Sequence, residues 1–191
     1  MAPMAIREIL EVPDPVLKQV SAPVETFDDA LKTLVDDMFE TMYDANGIGL
    51  AAIQIGVPQR VLVIDLQPED PDAEPEPCNH DGHHHHHQPT KKEPRVFINP
   101  EILDPAEEQT TYQEGCLSVP DIYADVDRPK TCRVRWHDLD GNVHEEPMDG
   151  LMAICIQHEM DHLNGVLFID HLSRLKRNMA LKKLEKARKA A

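Results

Sequence analysis

Near its C-terminal end the chain reads Gln157-His158-Glu159-Met160-Asp161-His162-Leu163-Asn164-Gly165. On a helix, residues four apart share a face, so His158 and His162 can direct two imidazoles at one ion. Glu159, one step round, can reach a water on that ion without ligating it. Two fixed ligands, an open position for water and a carboxylate to move its proton are what a metal hydrolase requires. The competing reading is a histidine pair packed in a core or standing on a wet face, and a third ligand decides between the two. Cys116, in Gln113-Glu114-Gly115-Cys116-Leu117-Ser118, is the best candidate, on a glycine-flanked turn after a strand-forming threonine pair. A thiolate with two imidazoles suits Zn(II), Fe(II), Ni(II) or Co(II), and softness does not choose among them. Thiolate charge leaves the ion a weaker Lewis acid than an all-nitrogen set, so help from Glu159 matters more.

The elements that must position these groups are legible in outline. Asp149 can cap the ligand helix, Gly165 stands where it should stop, and Leu151, Ile154 and Cys155 supply apolar positions between. Upstream, Thr26-Phe27-Asp28-Asp29 has the form of a capping box. Phe27, Ala30, Leu31, Leu34, Val35, Met38, Phe39 and Met42 then recur at helical spacing up to Tyr43, with Asp36, Asp37 and Glu40 on the opposite face. Residues 60–66 and 95–100 are β-branched and apolar enough for buried strands. Residues 131–137 alternate in strand fashion, turn at Asp140-Gly141 and return through Val143 to Met148. Within Gly47-Ile48-Gly49-Leu50-Ala51-Ala52-Ile53-Gln54, the lone amide of Gln54 is either a satisfied core group or a donor aimed at a substrate oxygen. Antiparallel strands with separate helices predict an α+β fold: β-sheets packed around a central metal-ligand helix, with an N-terminal and a C-terminal helix.

Length favours one domain over 1–191. The formal charge of −16 argues against a general nucleic-acid binder and against DNA. From about residue 173 the balance reverses: Arg174, Lys176, Arg177, Lys182, Lys183, Lys186, Arg188 and Lys189 stand against the single acid Glu185. Residues 67–94 hold six prolines, many acids and a histidine run from His83 to His87, which predicts a flexible surface insertion between two strands. No run is long and apolar enough for a membrane span or signal peptide, so the expectation is a cytoplasmic protein whose four cysteines stay reduced.

Three blocks, Gly47-Ile48-Gly49-Leu50-Ala51-Ala52-Ile53-Gln54, Glu114-Gly115-Cys116-Leu117-Ser118 and His158-Glu159-Met160-Asp161-His162, resemble the three signature motifs of the peptide deformylases, in that family's order. The resemblance runs over most of the chain. It implies removal of the formyl group from formyl-methionine at the start of nascent polypeptides. It implies one divalent ion on Cys116, His158 and His162, Fe(II) in cells and replaceable by Zn(II), Ni(II) or Co(II). By the same matching, Glu159 is the general base and acid toward the metal-bound water, and the Gln54 amide and Leu117 N–H hold the oxyanion. Ile48, Gly49 and Gly115 would pair with an extended peptide, while Leu151, Ile154 and Cys155 would wall the methionine pocket. The basic C-terminal helix resembles one that docks on the ribosome. Two departures stand out: the 67–94 insertion, and Tyr123 near a position where some relatives carry an arginine. Two rivals are a zinc endopeptidase using Glu185 or His171 as third ligand, and a metal-storage protein built on the histidine run.

Overall fold

The computed structural model describes residues 5–69 and 91–190. Strands form where β-branched and apolar residues cluster: β1 (Gly49–Ala51), β2 (Val61–Ile64), β3 (Arg95–Leu103), β4 (Gln109–Cys116), β5 (Val119–Pro129), β6 (Cys132–His137) and β7 (Val143–Met148). They make two antiparallel sheets, one of five strands in the order β1-β2-β3-β6-β7 and one hairpin, β4-β5. β2 is buried at every residue and lies between β1 and β3, as its continuous apolar run requires. The β6–β7 hairpin closes at Asp138 to Asn142, with Gly141 at φ +80° supplying the left-handed residue. β5, eleven residues long, was not expected from sequence.

Of the helices α1 (Asp29–Asp44), α2 (Gly150–Leu163) and α3 (Arg174–Ala190), α2 is the most enclosed. Its residues from Ala153 to Met160 are all buried, so it reads as a core helix rather than an amphipathic one. Asp149 sits at its N-cap position, but its side chain makes no capping bond there. The helix ends in paired bonds, Gly165 N–H to His162 O and Val166 N–H to Asp161 O, with Gly165 at φ +71°. This is the Schellman stop that the glycine announced. At α1 the cap is Asp28, whose carboxylate accepts the Leu31 N–H at 3.0 Å, and not Thr26. Leu31, Val35, Met38 and Met42 form its buried stripe, but Asp37, expected on the polar face, is buried too. It is held there by Arg7 and by the Ala5 N–H at 2.8 Å.

The basic segment from residue 173 is helical, with Ser173 Oγ accepting the Lys176 N–H at 3.3 Å. Leu184 is buried, with Ala180 and Leu181 against the Val119, Ile122 and Val126 side of β5. Leu175 and Met179, which fall at a similar helical spacing, are 72% and 62% exposed. The histidine run and most of the 67–94 segment lie outside the described residues. No helix among the described residues is long and apolar enough to cross a membrane.

Candidate metal centre

Two repeat distances meet at the centre of the fold. Along β4, Glu114 and Cys116 are two residues apart, about 7 Å on one face of a strand. Along α2, His158 and His162 are four apart, about 6 Å on one face of a helix. Laid side by side, the two spacings match: Glu114 Oε2 meets His158 Nδ1 at 2.8 Å, and Cys116 Sγ meets His162 Nε2 at 3.3 Å. A bulge between Glu114 and Cys116 adjusts the register. With its Nδ1 engaged by Glu114, His158 turns its other nitrogen toward Cys116, and the carboxylate fixes the orientation of the ring, as carboxylates do for metal-ligating histidines. Cys116 is therefore the last residue of a bulged strand rather than part of a turn.

The donor atoms of Cys116, His158 and His162 all lie within 4.8 Å of one another, the one such group of three among the described residues. A tetrahedral ion with ordinary Zn–S and Zn–N lengths separates sulfur from nitrogen by about 3.5 Å, close to the 3.3 Å found. One thiol and two imidazoles fit a borderline-soft divalent cation. The rival third ligands are elsewhere: His171 bonds Asp161 Oδ2 at 2.7 Å, and Glu185 bonds Lys189 on α3.

The charges of this cluster are coupled through burial and short contacts. Burial alone would lower His158, but the Cys116 sulfur and the Glu114 carboxylate outweigh it and raise its pKa well above the ordinary value. Burial, followed by the charge on His158, pushes His162 well below. Burial would raise Glu114, yet the Arg128 guanidinium and His158 hold it down at about 2. Arg128 clasps Glu114 through two nitrogens and reaches Asp161 Oδ2 at 2.9 Å with a third. Glu159, with Oε2 buried and unpartnered, is raised to about 7, chiefly by burial. Burial, then Glu159, pushes the Cys155 thiol up to about 12.

The groove above these groups is lined by Ile48, Gly49, Gln54, Gly115, Cys116, Leu117, Leu151, Ile154, Cys155, His158 and Glu159. His162 lies beneath it, 1% exposed. The residues that the resemblance assigns to the site are thus brought to one place, whereas His171 and Glu185 are not. Gln54 has the partners that a buried amide needs. Its Oε1 accepts the Ala51 N–H at 2.8 Å, while its Nε2 faces the groove, 3.0 Å from Ser118 Oγ and 3.6 Å from Cys116 Sγ. Among the described residues β1 pairs only with β2, and β4 only with β5, so two strand edges border the same groove. Sequence reasoning missed Arg128 and the anchoring role of Glu114. Glu114 stood inside a quoted motif, whereas nothing local marks a buried arginine in a mostly alternating strand.

A family model described as Polypeptide deformylase matches residues 6–178. A curated peptide deformylase of Novosphingobium aromaticivorans is 84% identical over 188 residues, covering 98% of this chain and 100% of the relative. A crystal structure of a peptide deformylase from Legionella pneumophila superposes with a TM-score of 0.82 at 46% identity, covering 97% of each chain. A Met-Ala-Ser bound class I type b peptide deformylase from Acinetobacter baumannii gives a TM-score of 0.75 at 31% identity, over 89% of this chain and 100% of that one.

Proposed function

The chain belongs to the polypeptide deformylase family of metal-dependent hydrolases, and from that premise we propose that it removes the formyl group from formyl-methionine at the N-terminus of newly made polypeptides, releasing formate. The observation that carries this reading is a three-donor cluster beside a buried, unpartnered carboxylate, at the floor of a groove bordered by two strand edges. Cys116, His158 and His162 hold one divalent ion, Fe(II) in cells, with Zn(II), Ni(II) or Co(II) able to replace it. When bound, the ion supplies Lewis acidity, which polarises the formyl carbonyl and eases loss of a proton from water.

Glu159 takes that proton as water oxygen adds to the formyl carbon, and returns it to the nitrogen of methionine as the C–N bond breaks. The products are formate and a free amine. The Gln54 amide and the Leu117 N–H stabilise the oxyanion, a single donor of this kind being worth about 2.7–4 kcal/mol. Ile48, Gly49 and Gly115 pair with the peptide backbone, which tolerates varied sequence after the first residue. Leu151, Ile154 and Cys155 wall the methionine side chain. The Met-Ala-Ser peptide in the A. baumannii relative agrees with a methionine-first occupant.

We read residues 1–191 as one catalytic unit, working in the cytoplasm where chains are made, with α3 as a docking helix for the ribosome. The decisive experiment is formate release from formyl-Met-Ala-Ser by protein purified without oxygen, beside Glu159→Ala. Release by wild type, lost in the variant while the metal stays bound, is the expected result. No release from metal-loaded wild type overturns the reading.

A further inference from the structure

A further buried carboxylate, in no role assigned above, stands behind the rim of the groove. Asp65, the residue after β2, is fully buried. Its Oδ1 accepts the N–H groups of Gln67 and Glu93, each at 3.0 Å, and its Oδ2 accepts the Tyr43 hydroxyl at 2.6 Å. Its own N–H donates to the Ile48 carbonyl at 2.9 Å. Gln67, held at φ +47°, sends its side-chain amide to the Gly47 carbonyl at 3.2 Å. Lys92 lies 4.1 Å from the centre of the Tyr43 ring. Three donors on one buried carboxylate make it a built junction, since such a group left unpaired is strongly unfavourable.

The rim it serves, residues 46–49, is fastened from two directions. From α1, the Tyr43 and Met42 carbonyls accept the N–H groups of Asn46 and Gly47. From the other side, Asp65 and Gln67 hold the Ile48 and Gly47 carbonyls. Tyr43 joins the two sides, because its backbone belongs to the first and its hydroxyl to the second. Burial, then the bond to Asp65, raises the Tyr43 phenol well above its ordinary value, so it serves as a neutral donor.

We propose that Asp65 is a positioning residue for the reaction: through Tyr43, Gln67 and its own N–H it fixes the height of the rim 46–49, and with it the grip of Ile48 and Gly49 on the peptide backbone. The inference rests on the deformylase reading of the groove. A rim that holds the backbone does so equally before and during the reaction, so loosening it raises KM and leaves kcat in place.

The test uses the metal-loaded full chain and formyl-Met-Ala-Ser. Tyr43→Phe and Gln67→Ala each delete one bond and spare the carboxylate. Each is expected to raise KM about two- to tenfold, the range for one lost hydrogen bond, with kcat and metal content near wild type. Competition by Met-Ala-Ser should weaken by the same factor. Asp65→Ala should have the larger effect. Asp65→Asn, which keeps an oxygen for the two N–H groups, should recover most of it. An unchanged KM in folded Tyr43→Phe and Gln67→Ala overturns the proposal whatever Asp65→Ala does, as does a fall in kcat and metal content with KM unmoved. Inactive wild type overturns the deformylase reading itself. Active wild type with an unmoved KM overturns only the role of Asp65.

Discussion

At Gly49 the backbone lies directly against the Glu159 carboxylate. A Cβ there would stand 2.5 Å from Oε1 and 3.0 Å from the carboxyl carbon, and Glu159 is itself only 5% exposed. Gly49→Ala must therefore displace the group assigned to proton transfer while leaving the three metal donors untouched. A misplacement near 1 Å costs about a hundredfold in rate, so formate release should fall by about that factor with metal content unchanged. Loss of metal alongside activity would show that the site is less divided than this. Glu114→Gln probes the opposite partner. It keeps the side chain's shape but removes the charge that both orients His158 and neutralises buried Arg128. Outer-shell changes of this kind weaken metal affinity about 10–100-fold, which competition with a chelator would measure. His158, Glu159, His162, Cys116 and Gln54 were legible in sequence because each is a chemically costly residue type in an apolar or glycine-rich setting. Arg128 was not, because its partners lie 14 and 33 positions away and no short window contains the network.

Elements reveal where periodicity suffices and where it does not. The stripe of α1 was readable, yet Asp37 shows that a carboxylate at a polar-face position can be buried by a segment that arrives from elsewhere. Burial would raise the Asp37 carboxyl, but the Ala5 N–H and the Arg7 guanidinium outweigh it and hold its pKa below the ordinary value. A depressed folded value means the stabilisation is present above the unfolded pKa, near 3.9, and is lost as pH falls through the folded one. Wild type should thus unfold at a higher temperature than Asp37→Asn at neutral pH, with the gap closing below about pH 4. A gap that does not narrow as the pH falls below about 4 would contradict this account. The stop of α2 is as specific. At Gly165 an added Cβ would collide with the Lys18 carbonyl oxygen, and the φ of +71° is already unfavourable for other residues. Gly165→Ala should destabilise by more than the roughly 1–2 kcal/mol of the left-handed conformation alone, visible as a lower urea midpoint. His162 lies three residues from this glycine, so a weaker metal grip should accompany it.

Over the whole molecule, charge and apolar surface separate two faces of α3. Its inner side is part of the core, with Leu184 buried and Leu181 and Ala180 packed beside it against β5. The sequence could not place that seam, because Leu175 and Met179 fit the same helical period and only the path of β5, itself unforeseen, decides which leucines are covered. Lys183 donates to the Asp121 carbonyl at 3.1 Å and Arg188 pairs with Glu11, which further ties the helix down. Lys176, Lys182 and Lys186 are exposed and have no ion-pair partner among the described residues. On a chain of formal charge −16, they join the likewise exposed Arg174 as cations available to RNA phosphates at short range. Truncation after Leu172 would remove both sides of the helix at once and could not distinguish docking from folding. Reversing Lys176, Lys182 and Lys186 to glutamate separates them. Formate release from formyl-Met-Ala-Ser and the unfolding temperature should stay at wild-type values, while co-sedimentation with ribosomes at low salt drops. Leu184→Ala should do the converse, lowering stability by about 2–5 kcal/mol with little effect on co-sedimentation of the folded fraction. If the charge-reversed protein still co-sediments as wild type does, α3 is a structural strut of the β5 hairpin and its lysines are a solvated face.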